Sequence, residues 1–133
     1  MTAPMSASDQ STFEQKMRRR MDELRKEIGE ARERRNDEQF TQLAGEAHDV
    51  GDASVATLTV DTTSADIRRD EDEMRDLDEA LGRLSVGSYG VCMRCGQPIE
   101  RARLEIYPGA KRHVACQEAH EREHGTTTRT PTL

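Results

Sequence analysis

The apolar positions of the first third fall at Met17, Met21, Leu24, Ile28 and Ala31, spaced alternately four and three apart. That is the seam of a heptad helix. Ser11 suits its N-cap, with Glu14 as capping-box partner three residues on. The helix is predicted to run to the mid-40s, weakened by about 1 kcal/mol at Gly29 relative to Ala. Beyond Arg35 the register slips, and Phe40, Leu43 and Ala47 restart a stripe.

A second series runs Ala53, Ala56, Val60, Thr63, Ile67, Asp70, Met74, Leu77, Leu81 and Leu84. The stretch VATLTVDTT within it is β-branched and locally favours extended backbone. The unbroken heptad register argues for a helix instead. Asp70 is the irregular seam position, facing outward or paired with a base such as Arg35. The polar segment HDVGDAS joins the two series and predicts an antiparallel hairpin with its tip near 48–54. Counting inward from each end sets Met17 near Leu84 and Arg35 near Ile67, with the tip far from the cysteine-bearing segment. A homo-oligomeric coiled coil would show the same pattern, but a seam this rich in Ala and Met favours an intramolecular pair in a monomer.

The fold class expected is mainly α. Residues 11–88 form the hairpin, and residues 89–124 form a small metal module with a C-terminal helix. Residues 1–10 and 125–133 are small and polar and are expected to be disordered.

Composition narrows this further. Of 133 residues, 33% are hydrophobic and 35% charged, with no Trp. Only Phe13, Phe40, Tyr89 and Tyr107 bring aromatic rings. Such a chain lacks the material for a large globular core. No stretch is apolar enough to span a membrane, and the N-terminus has no signal-peptide apolar run, so a cytoplasmic location is expected. Three cysteines cannot pair evenly, which also disfavours an oxidising compartment.

The net charge of −6 is concentrated in the middle of the chain, where residues 41–84 hold twelve acidic and four basic side chains. That works against neutralising nucleic-acid phosphates and suits a basic or metal-bearing surface. Solubility alone accounts for most of these charges.

All three cysteines lie in one window: Cys92-x-x-Cys95, seventeen residues, then His113-x-x-Cys116. Two closely spaced ligand pairs across a loop are what a tetrahedral zinc site needs. A Cys3His set leaves no open position, so one structural zinc per chain is expected, whose binding would fold the module. Gly87, Gly90 and Gly96 allow tight turns around the first pair. His120 and His124 follow on the next helix; His120 is the competing fourth ligand, and His113 is preferred because it makes the two pairs symmetrical. His48 reads as an exposed tip residue. Free thiols, or thiols that oxidise on losing zinc, are the minority alternatives.

Here the sequence resembles the DksA/TraR family of zinc-finger transcription regulators. The family spacing C-x2-C-x17-C-x2-C is matched, with His113 in place of the third Cys. YGVCMRCGQPI and the stretch Arg103-Leu104-Glu105-x-x-Pro108-x-Ala110 look like the family's finger. Asp49-Val50-Gly51-Asp52-Ala53-Ser54 looks like its acidic tip motif D-x-x-D-x-A, with Ser54 replacing Ala.

The resemblance implies a non-enzymatic factor that binds bacterial RNA polymerase. Its hairpin would enter the secondary channel and bring Asp49, Asp52 and Ser54 near the catalytic centre, without reading DNA sequence. The chain begins close to the first coil helix, so the extra N-terminal region of longer members is expected to be short or missing. Those members also share guanosine tetraphosphate with polymerase through basic residues on the second coil helix. Here that helix sets Arg68, Arg69 and Arg75 among seven carboxylates, so the nucleotide is not expected as a cofactor.

Two other functions compete. A transcript-cleavage factor would use an acidic hairpin to help hold a metal for RNA hydrolysis, although its known form lacks this finger. A DNA-binding finger would use Arg94, Arg101, Arg103, Lys111 and Arg112, but neither C2H2 spacing nor a clear recognition helix is present.

Overall fold

The structure is a computed structural model; it describes residues 5–44 and 50–124, and gives backbone alone for residues 42–44 and 50–57. Four helices follow in order: α1 (Ala7–Ala44), α2 (Val50–Val86), α3 (Arg101–Ile106) and α4 (Val114–His124). Among the described residues the only β pairing is an isolated bridge between Val91 and Pro98. The mainly α class is as expected, and the β-branched stretch of α2 is helical.

α1 begins earlier than its sequence pattern implies. Ser6, not Ser11, is the cap: its Oγ accepts from the Asp9 N–H at 3.0 Å. Residues 7–10, expected to be disordered, are therefore helical. The extra turn is held from outside as well, because Asp9 accepts from Arg101 Nη2 at 3.1 Å.

The chain divides into two compact units, one holding residues up to Met21 together with those from Glu73 onward, the other Asp22–Asp72. The second unit pairs the middle of α1 with the first part of α2. Leu24, Ile28, Ala31, Thr63 and Ile67 are its buried positions. Arg32 Nη2 reaches Glu71 Oε2 at 2.6 Å, and Thr63 Oγ1 donates to Glu38 Oε2 at 3.2 Å. Partners fall in number along α2 as they rise along α1, so the pairing is antiparallel. The two links bracket the expected level of Arg35 and Ile67. Phe40, expected to restart the seam, is instead 71% exposed. At 100° per residue, a Glu38 turned toward α2 leaves Phe40 pointing away.

The first unit contains the start of α1, the end of α2, and everything after it. Phe13, Met17, Met21, Leu77, Ala80, Tyr89, Ile99, Leu104, Tyr107 and Ala110 are buried. On α2, Ala80 is fully buried while Leu81 and Leu84 are half-buried. The segment after α3 packs here, so this helix serves two neighbours and the strict two-helix seam breaks down. Tyr107 Oη donates to Asp76 Oδ2 at 2.8 Å, and Lys111 Nζ reaches Asp76 at 3.1 Å and Glu79 at 2.8 Å.

Gly109 sits where the loop meets α2. A Cβ there would lie 2.9 Å from Asp76 Cβ and 3.2 Å from the Asp76 carbonyl carbon. The nearest atoms are main chain and the stem of a fixed side chain, so neither can swing away. Gly109→Ala is expected to cost about 1–3 kcal/mol through overpacking. Urea unfolding of the zinc-loaded protein measures it, and an unchanged midpoint would contradict this close approach.

Candidate metal centre

The cysteines are brought together by a scaffold read directly from the sequence. Gly90, at φ 86°, accepts through its carbonyl from the Ile99 N–H at 2.8 Å. The Cys92 N–H donates to the Gln97 carbonyl at 2.8 Å, and the Gly96 N–H to the Cys92 carbonyl at 3.0 Å. This closes a knuckle around Cys92 and Cys95. Gly96 completes it at φ 77°, a left-handed conformation that costs glycine little. The Met93 N–H then donates to the Lys111 carbonyl at 2.9 Å, which draws the far end of the loop back beside the knuckle.

The R-L-E-x-x-P-x-A stretch explains the return path. Arg103 is 1% exposed, and its Nε donates to the Arg112 carbonyl at 2.9 Å, fixing the residue before His113. Leu104 and Ala110 are 2% exposed each, and the Pro108 carbonyl accepts from Tyr89 Oη at 2.7 Å. The motif is thus a folding code for the seventeen-residue loop. Cys116 lies in the first turn of α4, whose start is tied by the Gln117 N–H donating to the His113 carbonyl at 2.8 Å. Arg94 holds the same helix through two contacts of 2.7 Å to Glu123.

The result is a group of three sulfurs, Cys92, Cys95 and Cys116, all within 4.8 Å of one another. None of the three is in a disulfide. Burial pulls the Cys92 thiol up, but N–H donors from Cys95, His113 and Arg94 and the Cys95 side chain outweigh it and bring it down to about 6. Cys116 is pushed up to about 11 by desolvation, by hydrogen bonds to Cys92 and Cys95, and by their charge. Three clustered thiols, one of them poised as thiolate, are the donor set zinc prefers.

The histidines are placed differently from the sulfurs. His113 sends its main-chain N–H to the Cys92 sulfur, and its Nδ1 lies 3.1 Å from Glu100 Oε1. Its ring nitrogens are not within the three-sulfur group. His120 stacks on His124 with ring centroids 4.1 Å apart and is also outside that group. Glu100 carries no sequence signal of this contact: glutamate is not a favoured helix cap, and only the fold turns it to His113. Phe13 was likewise missed as an anchor, because it precedes the heptad run. Its ring lies 5.7 Å from Tyr89, with Arg101 over it at 5.6 Å.

Of the expected tip residues, Asp49 lies outside the described residues. Asp52 and Ser54 fall in the first turns of α2, and their side chains lie outside them. No described helix is long and apolar enough to cross a membrane.

Residues 87–122 match the prokaryotic DksA/TraR C4-type zinc finger family. The RNA polymerase-binding transcription factor DksA of Caulobacter vibrioides is 52% identical over 46 residues, 35% of this chain and 32% of that protein. An uncharacterised protein of Aquifex aeolicus is 42% identical over 53 residues, 40% of this chain and 37% of that one. The chain therefore aligns with only about a third of the length of these relatives. Transcription factor DksA2 from Pseudomonas aeruginosa shares the fold with TM-score 0.70 at 23% identity, covering 91% of this chain and 89% of that one.

Proposed function

From the match of residues 87–122 to the DksA/TraR zinc finger family, we propose that the whole chain is a member of that family and regulates transcription by binding RNA polymerase directly. The observation that carries this reading is the family match of the finger, residues 87–122, beside 52% identity over 46 residues to a relative named as an RNA polymerase-binding transcription factor. In this reading the α1–α2 hairpin enters the secondary channel of bacterial polymerase. Asp49, Asp52 and Ser54 meet the magnesium-bearing catalytic centre, where carboxylates interact with metal and basic groups. The protein is a cytoplasmic, monomeric, non-enzymatic factor that requires neither sequence-specific DNA contacts nor guanosine tetraphosphate.

Zinc would be held by Cys92, Cys95 and Cys116, one ion per chain, with His113 as the fourth ligand of the sequence reading. Its chemistry is structural: it closes the loop and supplies folding free energy to a module whose own core is small. The fixed finger then orders α3 and α4, which bear on the polymerase exterior. The Lys111 link to Asp76 and Glu79 ties the returning loop to α2.

Co-purification with tagged polymerase followed by in vitro transcription tests the reading. Asp52→Asn is expected to retain zinc and polymerase binding while losing most of the effect on transcript yield. Normal regulation by this variant would refute the role of the tip. Shortening of RNA in a stalled elongation complex would instead favour transcript cleavage.

A further inference from the structure

α4 carries a pair of metal-binding side chains that the three-sulfur group does not use. His120 and His124 stand four residues apart near the end of this helix. Residues at that spacing share one helix face. Their rings stack with centroids 4.1 Å apart and planes tilted by 32°. Neither ring belongs to the group formed by Cys92, Cys95 and Cys116.

The pair is fixed from several sides. His124 Nδ1 lies 2.8 Å from the His120 carbonyl oxygen. A carbonyl oxygen can only accept, so Nδ1 carries the proton and Nε2 keeps its lone pair. A metal-binding imidazole commonly has its other nitrogen tied to a main-chain carbonyl in this way. The helix beside the pair is pinned as well, because Arg94 makes two contacts of 2.7 Å with Glu123. Desolvation, together with the charges of Arg112 and His124, holds His120 below the usual histidine range. Its ring is therefore neutral at pH 7 and has a lone pair to give.

The ring separation suits a chelate. Two metal–nitrogen bonds of about 2.0–2.1 Å to one ion set the nitrogens about 3–4 Å apart. Two histidines four residues apart on a helix grip zinc together in metalloproteases. We propose that His120 and His124 form a second, exposed metal site that takes a borderline divalent ion such as nickel or zinc, with water completing its coordination. Imidazole suits these ions without a thiolate or carboxylate. Cys116 lies one turn earlier on the same helix, so the site stands beside the three-sulfur centre without sharing a ligand with it. The inference is independent of the polymerase-binding reading.

The test uses the full-length, untagged protein preloaded with one equivalent of zinc and titrated with nickel alone. Calorimetry should find one nickel per chain, with metal analysis showing the zinc retained. His120→Ala and His124→Ala should each weaken nickel binding about tenfold or more, because a chelate loses one arm. His48→Ala should leave it unchanged. His124 is exposed at the end of α4, so its removal should leave the finger folded, and an unchanged zinc content in that variant verifies this. Nickel affinity within about twofold of wild type in either α4 variant, or nickel taken up only as zinc is released, would overturn the proposal.

Discussion

Cys92→Ser is expected to abolish zinc binding and unfold the finger from about residue 89 onward. Cys92 is 2% exposed and receives several N–H donors, so its sulfur is the most embedded of the three. A serine hydroxyl keeps the volume but offers no thiolate at neutral pH. Binding free energy of structural zinc is of order 10–16 kcal/mol in small fingers. A whole domain is typically stable by only about 5–15 kcal/mol. Nothing else in a loop this small can replace the ion. The damage should spread to the start of α1, since Phe13 and Asp9 are held by residues of this module. Metal analysis and thermal unfolding by circular dichroism check it, and about one zinc per chain in the variant would refute it. In wild type, the Cys116 thiol, raised to about 11, is protonated at neutral pH and must release its proton to bind. Zinc affinity should therefore fall as pH falls. Titration calorimetry in buffers of different ionisation heat would register the released proton.

Phe13→Ala should be the most damaging core substitution in the first unit. The ring is 2% exposed, packs against Tyr89, and lies under the Arg101 guanidinium. Removing a buried phenyl group costs about 3–5 kcal/mol, part of it as the cavity left behind. The cation–π contact adds less, because the Arg101 side chain is 59% exposed. Phe13→Leu should lose much less, since apolar volume is largely kept. Urea unfolding of zinc-loaded protein measures both, and a loss below about 1 kcal/mol for Phe13→Ala would show that this ring is not an anchor.

The two helices were legible because an amphipathic helix writes its buried face at intervals of three and four. Met17, Met21, Leu24, Ile28, Ala31, Ile67 and Leu77 are buried where that periodicity puts them. The same rule failed at Phe40 and at Leu81. It assumes one partner helix in constant register, while Glu38 is turned toward α2 at one place and the finger loop packs on α2 at the other. Ser11 misled for a related reason. A cap motif is local, and Asp9 receives Arg101 from ninety-two positions away.

For the metal site, local chemistry alone named the cysteines, the glycine turns and zinc as the fitting ion, because a metal's ligand set must be written in residue types and spacing. The loop motif could be recognised but not explained until Arg103 was seen holding the Arg112 carbonyl and Tyr89 the Pro108 carbonyl. Only the tertiary structure decided that Phe13 ties α1 to the finger, that Gly109 must lack a Cβ, and that Glu100 faces His113. Each is a contact between residues distant in sequence or turned by a loop, and periodicity and spacing carry no record of such pairs.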